Sequence, residues 1–132
     1  MLFRVMQPAE DRLPQVGPSS RKLGVRVPDD IEADSNGDVG PGTGGLSVTP
    51  SSMWDLPHHR RPRGMGQGAS GPPNDCVYGI EEDELRPHPL VVRPDLHSHR
   101  PHAFIEPSWR MQLTAYEAAL ANTRNSWLQV WP

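Results

Sequence analysis

Gly40-Pro-Gly-Thr-Gly-Gly-Leu-Ser-Val-Thr-Pro50 is the stretch on which the fold turns. Gly40, Gly42 and Gly45 have the G-x-G-x-x-G spacing of a dinucleotide-binding turn, which requires a strand before the glycines and a helix after them. Here an acidic, loop-like run from Pro28 precedes them, and Leu46-Ser47-Val48-Thr49, a β-type segment stopped by Pro50, follows. A phosphate-binding P-loop fails on the same residues, because Leu46 occupies the position of the required lysine. The glycines therefore deliver the chain into a strand, and a doubly wound nucleotide fold is excluded.

Further short apolar runs read as strands on either side. Leu2 to Met6, Cys76 to Ile80, Leu90 to Arg93 and His102 to Glu106 are rich in large or β-branched side chains and are bounded by Pro or acidic bends. Leu23 to Val27 is expected as one more strand. Near the C-terminus the period changes: Leu113, Tyr116, Leu120, Thr123 and Trp127 recur at three- and four-residue steps, one face of a helix. Thr114 and Glu117 have the spacing of a capping box. Between Ser51 and Asn74, Met53, Trp54, Leu56 and Met65 are the main apolar anchors, so residues 51–74 are expected as a long flexible loop facing an active site or a partner. Several strands and one C-terminal helix in 132 residues make a single α+β domain.

Composition narrows the function. With 13 basic against 16 acidic residues, the chain lacks the basic excess of a protein that binds nucleic acid through its phosphates. Lys22 is the only lysine, so the cationic groups are guanidiniums, suited to two-pronged recognition of phosphate or carboxylate. Cys76 is alone, which removes an internal disulfide and suits a reducing, cytoplasmic setting. The N-terminal run has neither the length nor the cleavage site of a signal peptide, and no later run would span a bilayer.

His97, His99 and His102 stand at H-x-H-x-x-H spacing, and His58-His59 adjoins Arg60, Arg61 and Arg63. Zinc ligation is one reading of the imidazoles, and solvated loop histidines are the simpler one for His58, His59, His97 and His99; no residue is assigned to a metal. The arginines read either as a solvated face or as an attractor for an anion. Trp127 and Trp131 suit packing, while Trp54, in a loop, would be free to stack on a ligand ring.

Taken in order, Leu-Phe-Arg-Val at the start, Gly-Thr-Gly-Gly-Leu-Ser-Val in the middle, His-Ala-Phe-Ile-Glu-Pro, and the helix carrying Met111, Leu113, Tyr116 and Leu120 resemble the ADP-ribosyltransferase-like toxins known as type VI secretion effectors and as toxins of toxin–antitoxin pairs. The resemblance implies a small split β-sheet with a C-terminal helix and long loops, and NAD as substrate in a cleft between the sheet halves. It implies a bacterial cytoplasm as the place of action, an intracellular acceptor, and an antitoxin or immunity protein as partner. Arg4 is similar to the first-strand basic residue that holds the NAD pyrophosphate or ribose. Thr43, Gly44, Gly45 and Ser47 look like the motif that positions nicotinamide and its ribose, and His102 looks like the histidine that hydrogen-bonds the ribose.

The chemistry asks for one more group. Breaking the nicotinamide glycosidic bond builds positive charge on the ribose, which a carboxylate stabilises more in the transition state than in the ground state. Glu106 is the candidate, since it shares a strand face with Phe104 and His102. If Glu106 is inert, Thr43, Ser47 and His102 carry the site by polar contacts, and NAD hydrolysis becomes an alternative outcome. Two other classes stay open: a binding or regulatory domain that keeps a worn transferase fold and offers its Trp and Arg residues as a contact surface, and a zinc-dependent hydrolase.

Overall fold

The computed structural model describes residues 1–132. Six antiparallel strands form the main sheet: β1 (Leu2–Met6), β3 (Leu46–Pro50), β4 (Cys76–Ile80), β5 (Leu90–Pro94), β6 (Ala103–Pro107) and β8 (Leu128–Trp131), in the order β5-β6-β3-β1-β4-β8. A two-residue ribbon, β2 (Asp38–Val39) with β7 (Met111–Gln112), leads into the single helix α1 (Leu113–Asn122). The fold is α+β, as the sequence indicates.

Side-chain parity along the strands makes two faces. On one, Leu2, Met6, Leu46, Val48, Tyr78, Ile80 and Ile105 pack with Tyr116, Ala119 and Leu120 of α1 and with Leu23, Val25, Ile31 and Trp127 into the main core. On the other, Phe3, Val5 and Val77 pack against Leu56 and Met65. Residues 51–74 thus contribute Leu56 and the fully buried Met65 to this second core, and they contain a short 3-10 turn at Met53–Asp55. The second core covers β1 and β4, and the register sets Ser47, Phe104 and Arg93 in one partly exposed row on the same face of β3, β6 and β5.

The sheet is nearly cut in two. β1 pairs with β4 over five residues but with β3 only at Leu2↔Pro50 and Phe3↔Thr49. Continuing that register would set Val5 against Ser47. Instead the loops around Ser19–Lys22 and Arg26–Ile31 enter the gap: the Gly45 amide donates to Asp30 O (2.9 Å), the Glu32 amide donates to Thr43 O (3.0 Å), and Ile31 bridges Gly44. These contacts explain the glycines that open β3. Gly44 sits at φ +114°, and a Cβ on Gly45 would lie 2.5 Å from Ile105 O, so neither position accepts a side chain.

Three local expectations are corrected. Leu23 to Val27 is not a strand; Leu23 and Val25 are buried from a loop whose only ladder contact is the bridge Val16↔Leu23. The helix ends at Asn122, and Thr123 and Trp127 extend its apolar stripe from beyond it: Trp127 Nε1 donates to Thr123 Oγ1 (3.0 Å), which donates to Leu120 O (2.6 Å). The capping box at Thr114 is unused, because the helix has already begun at Leu113, whose amide donates to Gly37 O (2.9 Å).

Candidate active site

The gap between β1 and β3 is a cleft with a cavity of about 220 Å³. Phe3, Arg4 and Val5 line it from β1, Ser47, Val48 and Thr49 from β3, Ser20, Arg26 and Asp30 from the entering loops, Leu56, Pro57 and Arg60 from the 51–74 loop, and His102 from the turn before β6.

Arg4 spans the cut. Its Nε and Nη2 donate to Lys22 O (3.2 and 2.9 Å), Nη2 also to Ser19 O (3.2 Å), and Nη1 to Ser47 O (2.9 Å). The side chain thus replaces the backbone ladder that β1 and β3 fail to make. Four of the five guanidinium N–H groups are used, leaving one on Nη1. Burial lowers the Arg4 pKa to about 10, with the nearby Asp30 carboxylate acting in the opposite sense.

Two more guanidiniums complete the wall. Arg26 is held bidentately by Asp30 (Nε to Oδ2 3.1 Å, Nη2 to Oδ1 3.0 Å), and the Arg26 amide also donates to Asp30 Oδ2. Burial would raise the Asp30 pKa, and the Arg26 bonds outweigh it and hold the carboxyl below its usual value. Arg60 Nη1 donates to Ser20 Oγ (3.0 Å). Three arginines less one aspartate leave the cleft two charges positive. Arg26 and Asp30 were invisible in the sequence, because nothing periodic marks the loop that enters the cut.

His102 is half-buried at the cleft edge. Its Nδ1 lies 2.9 Å from Asp95 Oδ2, and its ring meets Phe104 edge-on at 4.8 Å between centroids. Arg4, Ser47 and His102 therefore converge on one cavity.

The remaining candidates lie elsewhere. Glu106 is on the sheet face of Ser47 and Phe104 but outside the cleft lining; its buried Oε2 accepts from Arg93 Nε (2.8 Å) and from the Gly42 amide (3.1 Å). Arg93 also lies over the Phe104 ring, 5.3 Å from its centroid. Thr43 turns its hydroxyl onto Gly40 O (2.8 Å) and borders a separate surface depression with Asp34, Asp38 and Arg110. Gly44 and Gly45 are pressed against Asp30, Ile31 and Ile105 backbone. Trp54 is half-exposed and does not line the cleft. No three His, Cys, Asp or Glu side chains gather as a metal-ligating group, His97, His99 and His102 included. No helix is long and apolar enough to cross a membrane.

Fold and site define a class: a small α+β domain whose antiparallel sheet is parted by an arginine-rich cleft. A family model described as Tse2 ADP-ribosyltransferase toxin matches residues 1–127. The chain belongs to this family of ADP-ribosyltransferase toxins. No curated protein and no solved structure matches it.

Proposed function

We propose that the protein binds NAD in the cleft between β1 and β3, breaks the bond between nicotinamide and ribose, and transfers ADP-ribose to an acceptor inside a bacterial cell. The observation that carries this reading is the convergence of Arg4, Ser47 and His102 on one cavity beside Arg26 and Arg60. A cleft with two net positive charges complements the two negative charges of a diphosphate, and planar guanidiniums meet phosphate oxygens in pairs. Arg26, preset by Asp30, and Arg60 are the groups suited to the diphosphate. Ser47 and His102, on the opposite wall, suit the nicotinamide riboside.

As the C1′–N1 bond breaks, its electron pair leaves with nicotinamide and positive charge develops at C1′. Ser47 and His102 offer hydrogen bonds to the ribose hydroxyls, while Asp30, both of whose oxygens are engaged by Arg26, serves to preset that guanidinium. Glu106, paired to Arg93 and Gly42, holds the β5–β6 edge and the glycine loop together. Thr43, Gly44 and Gly45 shape the entry to β3, and Trp54 stands outside the cavity. An antitoxin or immunity protein would neutralise the protein by covering the cleft mouth, where the partly exposed Arg60 suits an acidic partner.

The test is NAD titration by calorimetry with the wild-type protein and Arg60→Ala. Binding by the wild type, weakened about tenfold in the variant, is expected for the loss of one charged hydrogen bond. Equal binding by both proteins would remove Arg60 from the site, and no binding by either would refute the proposal.

A further inference from the structure

Asp95 has no place in the sequence reading and does not line the cleft, yet its carboxylate decides how His102 faces it. Two backbone-anchored bonds hold Asp95: its amide donates to His102 O (2.9 Å), and its Oδ1 accepts from the His97 amide (3.1 Å). The second oxygen, Oδ2, is thereby aimed at His102 Nδ1, 2.9 Å away. An ionised carboxylate only accepts, so Nδ1 must carry the proton. The bond to His102, with that from His97, holds the Asp95 carboxyl below its usual pKa and keeps it ionised. In a neutral imidazole with its proton on Nδ1, Nε2 is a bare acceptor. The ring also packs perpendicular to Phe104, 4.8 Å between centroids.

We infer that Asp95 is a positioning residue that fixes His102 as the Nδ1–H tautomer, so that Nε2 accepts a hydrogen bond from a ribose hydroxyl in the cleft. This rests on the proposed NAD chemistry. As charge grows at C1′ the ribose hydroxyls become stronger donors, so an acceptor at Nε2 is worth more in the transition state than in the ground state. The reverse tautomer would present N–H, a donor, to the same hydroxyl.

Asp95→Asn makes a clean reversal. The His97 amide retains the side-chain oxygen at the Oδ1 position, so the amide NH₂ takes the place of Oδ2 and donates to Nδ1, driving the His102 proton to Nε2. Imidazole ¹⁵N spectra at about pH 8.5, above the ordinary histidine pKa, should show His102 as Nδ1–H in the wild type and Nε2–H in Asp95→Asn. Nicotinamide release should fall about tenfold or more in kcat with little change in KM, the pattern of an interaction made in the transition state. Asp95→Ala, which frees the ring, should leave a mixture of tautomers and an intermediate rate. An Nε2–H tautomer in the wild type, or a wild-type kcat in Asp95→Asn with the tautomer reversed, would overturn the inference. A wild-type protein that releases no nicotinamide would instead overturn the NAD reading, and the spectra would still decide whether Asp95 sets the tautomer.

Discussion

Arg4 was expected to be a ligand contact, and the structure makes it first a clasp between the two halves of the sheet. In Arg4→Met a flexible apolar chain of similar reach takes its place, leaving Lys22 O and Ser47 O without their donor. Each part-buried carbonyl so orphaned costs at most about 1–3 kcal/mol, and the two together at most about 2–6 kcal/mol. The variant also escapes the burial of a guanidinium, whose pKa that burial holds at about 10, so the net loss should fall in the lower part of the range, about 2–4 kcal/mol. With a urea m-value of about 2 kcal/mol/M, a loss of about 3 kcal/mol moves the midpoint down by about 1.5 M without changing the slope. Urea unfolding followed by tryptophan fluorescence reads this directly, because Trp127 is buried in the main core. A midpoint within about 0.3 M of wild type would mean that Arg4 does not hold the halves together.

Other consequences follow from the same geometry. Tyr116 accepts from the Leu46 amide (3.0 Å) and donates to Ile105 O, joining α1 to the start of β3 and the middle of β6; Tyr116→Phe should cost about 1–3 kcal/mol in urea unfolding by orphaning that amide. Glu106→Ala should destabilise by a similar amount, about 1–3 kcal/mol, by leaving the Gly42 amide and Arg93 without their acceptor; NAD cleavage per folded molecule should persist, and its loss would return Glu106 to the site. Asp11, Asp30, Asp34 and Asp95 all have carboxyls held below their usual pKa in the folded state. Depressed carboxyls stabilise the fold above the unfolded pKa and lose that contribution as pH falls through the folded one, so thermal unfolding should show a steep decline below about pH 4. Burial, with Arg60 and Arg100 nearby, lowers the His59 pKa, and this adds a shallower decline that begins near the ordinary histidine value; a melting temperature that rises on acidification would contradict both.

The strands β1, β3, β4, β5 and β6 were legible because each is an apolar run closed by Pro or by an acidic bend, features local to the chain. The strand β8 was hidden by the helical stripe that Trp127 continues after the helix has ended. The cut in the sheet could not be read from periodicity. It depends on Arg4 reaching carbonyls 15 to 43 residues away and on Arg26–Ile31 replacing β1 beside the entry to β3. Parity correctly put Glu106 on the face of Phe104, and only the β5–β6 register, which sets Arg93 opposite Phe104 and within reach of Glu106, reveals that its carboxylate is already engaged. Similarly, the context of the Gly40 loop excluded a dinucleotide turn, while the requirement for glycine at positions 44 and 45 comes from Asp30, Ile31 and Ile105, which are remote in sequence.

The central claim is that Ser47 and His102 line one NAD-cleaving cavity. The most direct test is nicotinamide release from NAD by purified wild type, Ser47→Ala and His102→Ala, each verified as folded by its urea midpoint. The account predicts release by the wild type and a drop of about tenfold or more in each variant, the loss expected for one transition-state hydrogen bond; wild-type rates in both variants would contradict it.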